Sequence, residues 1–207
     1  MQTDLFNNSK KINKDVSIDL SSTINGLELY FDFISIEDER QIIENLDASI
    51  WLNDLSRRVQ HYGYKYDYRA RKIDNSFYLG ELPKWLNELA QKIYNKKLID
   101  FIPDQAIINE YEPGQGISSH IDCEPCFGET IISLSLGSTC VMNFTREVNS
   151  LDKKSILLEP RCLVIMKKES RYDWFHGIPA RKSDKFNDNV IKRQRRVSIT
   201  FRKVIKQ

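Results

Sequence analysis

Histidine is nearly absent from this chain, with three among 207 residues. No stretch approaches the roughly 18 consecutive apolar residues that a membrane-crossing helix needs. The polar, Asn/Lys-rich start from Met1 to Leu20 also has no apolar run ahead of a cleavage site. These two absences predict a cytoplasmic-type protein without membrane association. An excess of one charge sign is missing as well: a formal +2 is too small to announce a polyanionic partner by itself. Cysteine is limited to Cys123, Cys126, Cys140 and Cys162. Without a secretion signal, these four predict reduced thiols rather than a disulfide frame. The chain also lacks internal repeats.

What is present fits one monomeric domain with a sizeable core, 41% hydrophobic and 29% charged. Residues 1–25 are too polar to bury much and are expected to form a flexible leader, leaving 26–207 as the domain. Leu27 to Phe33 alternates weakly, as a first strand would. Ser35 is placed to cap a helix with Asp38 in its first turn and Ile36, Ile42, Ile43 and Leu46 as the apolar stripe. A second helix is expected from Pro83, burying Trp85, Leu86, Leu89 and Ile93. After Asp100 the pattern changes to short β runs: 106–111, 130–136, 139–145, 155–158, 162–167 and 195–204, separated by turn signals. Residues 181–195 look like a polar loop. Helices followed by many antiparallel strands imply an α+β fold, with a double-sheet jelly roll as the leading architecture.

Two of the scarce histidines fall in suggestive places. His120 and Asp122 are two apart, so on extended backbone both side chains point the same way. His176 lies on a distant segment that a rolled sheet can bring alongside. Two histidines and one carboxylate make the facial triad of non-haem Fe(II), which keeps positions open, whereas structural zinc closes with four ligands. A lone His-x-Asp pair is ordinarily surface polarity, so the site depends on all three residues converging. Cys123-Glu124-Pro125-Cys126 invites a zinc or redox reading, but no second Cys-x-x-Cys exists, and incidental thiols are the simpler expectation.

Arg196 and Arg202 share one strand face with Ser198 and Thr200, while Val197, Ile199 and Phe201 take the other. Two guanidinium groups facing a sheet interior demand buried anions. A dicarboxylate plus the Asp122 carboxylate would supply them. Asn109 and Tyr111 share a strand face and are placed to donate to the same carboxylates. The plain alternative is a basic strand at a sheet edge.

Together, Asn109-x-Tyr111-x-Pro113-Gly114, His120-x-Asp122, His176-Gly177-Ile178 and Arg196 followed six residues on by Arg202 resemble the AlkB family of Fe(II)/2-oxoglutarate dioxygenases. The likeness extends over roughly 27–205. It implies a double-stranded β-helix core with N-terminal helices and a nucleotide-recognition lid. Fe(II) would sit on His120, Asp122 and His176. The co-substrate 2-oxoglutarate would lie against Asn109, Tyr111, Arg196, Ser198 and Arg202, with O2 at an open metal position. Ser198 departs from the Asn that the family often carries there, which puts the strength of co-substrate binding in question.

The implied reaction converts 2-oxoglutarate to succinate and carbon dioxide while hydroxylating a nearby carbon. On an N-methylated base the product collapses to formaldehyde and a repaired base. The expected partner is therefore nucleic acid, as single-stranded DNA or RNA, including tRNA. A lid is expected over 57–72, where Tyr62, Tyr64, Tyr66 and Tyr68 alternate among Arg57, Arg58, Lys65, Arg69, Arg71 and Lys72. Tyr62 and Tyr64 would stack on the base, and Arg58 would serve phosphate. Glu124 is placed to accept from an exocyclic amine, and Arg161 and Trp174 to line the pocket. Core packing accounts for part of the tyrosine pattern.

Oxidative demethylation of alkylated bases is the leading expectation. Its rival is hydroxylation of a tRNA wobble-uridine side chain, because Gly114-Gln115-Gly116-Ile117 and Ser170-Arg171-Tyr172-x-Trp174 resemble that branch. Outside this class stand a nucleic-acid-binding module without catalysis and a zinc hydrolase.

Overall fold

The computed structural model describes residues 17–20, 23–53, 55–67, 72–147 and 153–205. In chain order the elements are β1 (Ser17–Asp19), β2 (Leu27–Tyr30), α1 (Ile36–Asp47), β3 (Val59–Tyr62), α2 (Lys84–Asn95), β4 (Gln105–Tyr111), β5 (Ile117–His120) and β6 (Ile131–Gly137). There follow β7 (Cys140–Thr145), β8 (Lys153–Leu158), β9 (Leu163–Met166), α3 (Lys168–Tyr172), β10 (Phe175–Ile178), β11 (Ser183–Phe186), β12 (Asn189–Lys192) and β13 (Arg196–Arg202). A seven-stranded sheet runs β1-β2-β9-β6-β13-β4-β3, and a four-stranded sheet runs β5-β10-β7-β8. Every pairing is antiparallel. This is the expected jelly-roll core.

Strand alternation sorts the large sheet's side chains into two cores. Ile108 on β4, Leu134 on β6, Leu163 on β9 and Ile199 on β13 pack with Leu46 of α1 and Leu86 and Ile93 of α2. The opposite parity, Val164 and Met166 on β9 with Ile131 on β6, packs with Met142, Phe144 and Leu158 of the small sheet. Because the side-chain period is two, a one-residue slip of β13 would send Arg196 and Arg202 into the helix-facing core. Seven paired residues with β4 and six with β6 hold the register of β13 on both flanks.

α1 begins as its sequence predicts, with a reciprocal capping box: the Asp38 backbone N–H donates to Ser35 Oγ, and the Ser35 backbone N–H donates to the Asp38 carboxylate. Ile36 does not join the stripe. It lies six helical steps from Ile42, about 120° around the axis, and is 73% exposed. Pro83 caps α2 rather than opening it, and Leu86, Leu89, Ala90 and Ile93 form the buried face with Trp85 at its margin. Three sequence expectations change. Ser17–Asp19, assigned to the leader, pairs with β2, and Ile24 is buried. The loop expected over 181–195 contains the β11–β12 hairpin, turned at Asn187 and Asp188, both at positive φ as a two-residue hairpin turn requires. Cys123 and Cys126 are joined in a disulfide rather than free: a tight turn sends the Cys126 and Phe127 backbone N–H groups to the Cys123 carbonyl and brings the two Cα atoms to 5.3 Å. Cys140 and Cys162 are buried free thiols.

The leader up to residue 16, Tyr68, Arg69 and Arg71 of the expected lid, and the 149–150 turn lie outside the described residues. No helix among the described residues is long and apolar enough to cross a membrane.

Candidate metal centre and its cleft

The site lies between the two sheets at one mouth of the roll. His120 ends β5 and His176 sits on β10, in register with it. Their ring centroids are 4.5 Å apart. Gly177 makes this approach possible, since a Cβ there would lie 2.9 Å from the Ser119 backbone. Asp122, two residues past His120, places Oδ2 3.4 Å from His176 Nε2. One ligand atom from each of the three residues lies within 4.8 Å of the others.

The surroundings prepare these groups for a cation. His120 Nδ1–H donates to the Ser118 carbonyl at 2.8 Å, which leaves Nε2 free to ligate. Burial pushes the His176 imidazole down to about 3, and His120 adds to the effect, so its ring is neutral near pH 7. Burial alone would raise the Asp122 carboxyl. The Arg202 guanidinium outweighs it, with help from His176 and His120, and holds Asp122 well below the usual carboxylate range. Arg202 Nη2 stands 2.5 Å from Asp122 Oδ1. Two imidazoles and one ionised carboxylate, brought together by β5, β10 and the turn after β5, fit a divalent cation with positions left open.

Beside them the inward face of β13 meets the inward face of β4. Arg196 donates from Nε and Nη2 to Ser135 Oγ at 3.0 and 2.7 Å, and its guanidinium lies 5.3 Å from the centre of the Tyr111 ring. Asn109 is the cross-strand partner of Ser198. Arg196 Nη1 and Arg202 Nε are buried without any hydrogen-bond acceptor. Orphaned donors on two buried cations are costly unless an anion meets them, and a dicarboxylate supplies the complementary atoms. The narrow cavity they line shares Asn109, His120, Asp122 and Arg202 with a cleft of about 720 Å³ that opens to solvent.

Glu124 is exposed on the rim of that cleft. The other residues expected to meet substrate are placed elsewhere, for reasons of strand parity. Gly63, at φ +76, ends β3 and breaks the expected aromatic face. Tyr62 packs edge-on against Trp85 at 6.1 Å on the helix side, and Tyr64 packs on Tyr78 at 5.0 Å. Tyr66 alone of the described tyrosines in this run lines the cleft, against Phe127 at 5.5 Å. Arg58 follows Glu110 to the outer side of β4, where it pairs with that buried carboxylate and lies over Trp51. Arg161 pairs with Asp32 and Glu39 near the start of α1. Trp174 is buried beneath Arg146, while its neighbour Phe175 faces the cleft.

Two arginines at the site were named from sequence only as members of longer runs, Arg57 among the lid's basic residues and Arg171 within a motif. Arg57 is buried on the cleft wall and donates to Asn109 Oδ1 at 2.8 Å. The signal for it is the β3–β4 register, Val59 opposite Asn109, which the sequence does not display. Arg171, also buried, donates to the carbonyls of Asp122, Cys123, Phe127 and Gly128, and so ties down the turn that carries Asp122 and Glu124.

The chain can be set beside known proteins. Residues 31–202 match the model of the 2OG-Fe(II) oxygenase superfamily. An uncharacterized protein, L905, of Acanthamoeba polyphaga mimivirus is 37% identical, over 95% of this chain and 93% of its own length. The alkylated DNA repair protein ALKBH8 homolog of Arabidopsis thaliana is 39% identical over 90% of this chain and 60% of its own. The Xenopus tropicalis tRNA (carboxymethyluridine(34)-5-O)-methyltransferase alkbh8 is 38% identical over 86% of this chain, which spans only 32% of that longer protein. In fold, the chain resembles the solved structure of OsALKBH1, with a TM-score of 0.63 at 20% identity, over 86% of this chain and 96% of that one. The match over 31–202 and the likeness to ALKBH8 relatives agree with the converged ligand set and the unfilled donors beside it: the chain belongs to the 2OG-Fe(II) oxygenase superfamily and, within it, to the AlkB family of Fe(II)/2-oxoglutarate dioxygenases.

Proposed function

We propose that this dioxygenase oxidises a modified nucleobase in RNA, hydroxylating the side chain of a wobble uridine in tRNA. The observation that carries this reading is the cleft of about 720 Å³ that opens directly onto His120 and Asp122. It is bordered by an aromatic ring, Tyr66, and a cation, Arg57, as a base with a polar substituent would require. Likeness at 36–38% identity to the ALKBH8 tRNA enzymes of three vertebrates supports uridine over other bases, and reverses the order that sequence motifs suggested.

In this account His120, Asp122 and His176 hold Fe(II). Arg196, Asn109, Tyr111 and Ser198 would hold 2-oxoglutarate, with Arg202 beside them against Asp122. When bound, iron and 2-oxoglutarate supply the oxidation by O2 that hydroxylates a carbon and releases succinate and carbon dioxide. The protein positions the reacting carbon. Tyr66 and Phe127 give the base an apolar wall, Arg171 fixes the turn beyond Asp122, and Arg202 keeps Asp122 ionised. Excluding water from the narrow cavity protects the bound co-substrate from side reactions.

A second reading, oxidative demethylation of an N-methylated base, is favoured by Glu124 at the rim, placed to accept from an exocyclic amine, and by 31% identity to the DNA N6-methyl adenine demethylase of Caenorhabditis elegans. Incubation with bulk tRNA, methylated single-stranded DNA and duplex DNA, followed by nucleoside mass spectrometry, separates the two. A mass gain of one oxygen on a modified uridine is the expected result. Loss of methyl groups from DNA with no change in tRNA would replace the first reading with the second.

A further inference from the structure

The Cys123–Cys126 disulfide does little that the fold needs. It closes a very short ring, and a crosslink stabilises less the shorter the chain it closes. The same turn is already held without it. Arg171 donates to the carbonyls of Asp122, Cys123, Phe127 and Gly128, and the Cys126 and Phe127 backbone N–H groups donate to the Cys123 carbonyl. Phe127 also bridges to Val204. The bond can therefore open with the turn left in place.

Its position suits redox chemistry. Cys123 directly follows Asp122 and lines the cleft that opens onto His120 and Asp122. Among the described residues no other thiol lines that cleft, since Cys140 and Cys162 are buried in the core. Burial pushes the Cys162 thiol up to about 12, which leaves it unreactive. Glu124 and Pro125, inside the ring, are both exposed, so solvent borders the pair. Cys-x-x-Cys is also a spacing that serves dithiol exchange.

The metal centre has neighbours to protect. Met142 and Met166 are buried and line the narrow cavity beside His120, Asp122 and His176. Oxidation to a sulfoxide would turn these apolar core side chains polar. When the cleft is empty, no substrate carbon is present to take the oxygen atom. We infer that Cys123 and Cys126 form a resident two-electron reductant that discharges the centre in cycles without substrate. Two S–H bonds break and one S–S bond forms. The two electrons and two protons go to the oxygen atom of O2 that would have entered the substrate, and it leaves as water. The sum is 2-oxoglutarate, O2 and two thiols giving succinate, carbon dioxide, water and one disulfide. A small dithiol resets the pair by exchange and is itself oxidised to a disulfide. This rests on the family's oxygenase chemistry and not on which base is oxidised.

The test starts from the full chain reduced with dithiothreitol and freed of it without oxygen. Metal-free protein reduced in this way should keep its thermal unfolding temperature, and unfolding on reduction would make the bond a structural staple and overturn the role. The reduced protein is then loaded with Fe(II) and 2-oxoglutarate and mixed with oxygen in the absence of nucleic acid. Differential alkylation with peptide mass spectrometry counts thiols, and succinate is measured on the same samples. About one Cys123–Cys126 disulfide should appear per succinate formed, with Cys140 and Cys162 still reduced. Disulfide appearing equally fast without 2-oxoglutarate, or in His120→Ala, would be ordinary air oxidation and would overturn the role, as would succinate formed without disulfide. In Cys123→Ser/Cys126→Ser a mass gain of one oxygen should appear on Met142, Met166 or a cleft aromatic, and activity should be lost in fewer turnovers. A folded double variant that lasts as long as wild type, with no such gain, would contradict the proposal; the wild-type thiol count decides it if the variant does not fold. A wild type that consumes 2-oxoglutarate only when nucleic acid is present would also overturn the role, while leaving the oxygenase standing.

Discussion

Two buried carboxylates, Asp184 and Asp122, show how differently one small protein treats charge. Asp184 on β11 is closed off. Arg193 donates to both its oxygens, Arg181 adds a contact to Oδ1, and the Val141 backbone N–H donates to Oδ2 at 3.1 Å. Burial would raise its carboxyl, but the Arg193 and Arg181 hydrogen bonds outweigh that and hold it low. Asp122 is paired with Arg202 yet sits among open positions: two imidazoles converge beside it, and Arg202 Nε and Arg196 Nη1 lack acceptors. The first cluster satisfies itself and pins a hairpin to β7. The second is incomplete without ligands, as a site that must bind and release a small anion has to be.

Removing a member of each cluster should therefore damage different properties. His120→Ala should reduce 2-oxoglutarate-dependent succinate formation to background, while thermal unfolding changes little. Succinate formation persisting at wild-type rates would show that the metal is held elsewhere. Arg193→Met leaves Asp184 buried without its main partner and should cost about 3–5 kcal/mol of stability. Chemical denaturation measures that loss, and turnover per folded molecule should stay near wild type.

Acid sharpens the contrast. The folded-state carboxyl of Asp184 is lowered relative to the unfolded chain, so its contribution to stability is complete well above the unfolded value near 4. It is lost as pH falls through the folded value. Asp184→Asn should thus flatten the acid arm of the stability profile below about pH 4, and an unchanged slope there would mean another group carries it. Glu124→Ala concerns only the rim. If the exposed carboxylate reads a base, turnover of the preferred nucleic acid should fall more than uncoupled succinate formation; equal losses would assign it no recognition role. Ile36→Lys, on the exposed side of α1, should move stability by no more than about 0.5 kcal/mol.

The same contrast explains what could be read in advance. The inward arginine face of β13 was visible because Arg196, Ser198, Thr200 and Arg202 alternate with Val197, Ile199 and Phe201, and parity needs only local sequence. The ligand set was visible because histidine is so scarce that two matching positions stand out. The partners of the remaining arginines were not visible, since they depend on register between distant strands. Arg58 and Arg57 are adjacent in sequence, yet β4 parity sends one to Glu110 and the other to Asn109. The tyrosine face failed because Gly63 breaks β3 at a positive φ, and a Cβ there would lie 1.9 Å from the Asp104 carbonyl oxygen. The β11–β12 hairpin was hidden by its polar strands, whose one deeply buried anchor is Asp184, a residue type that usually signals a loop.

The central claim is that the unfilled donors of β13 are reserved for the co-substrate. Calorimetric titration of 2-oxoglutarate into oxygen-free, metal-loaded protein tests it most directly, comparing wild type with Arg196→Met. Loss of a charge-assisted carboxylate contact predicts at least about tenfold weaker binding in the variant. Equal affinity for the two proteins would contradict the account, because the anion that completes this site would then be bound somewhere else.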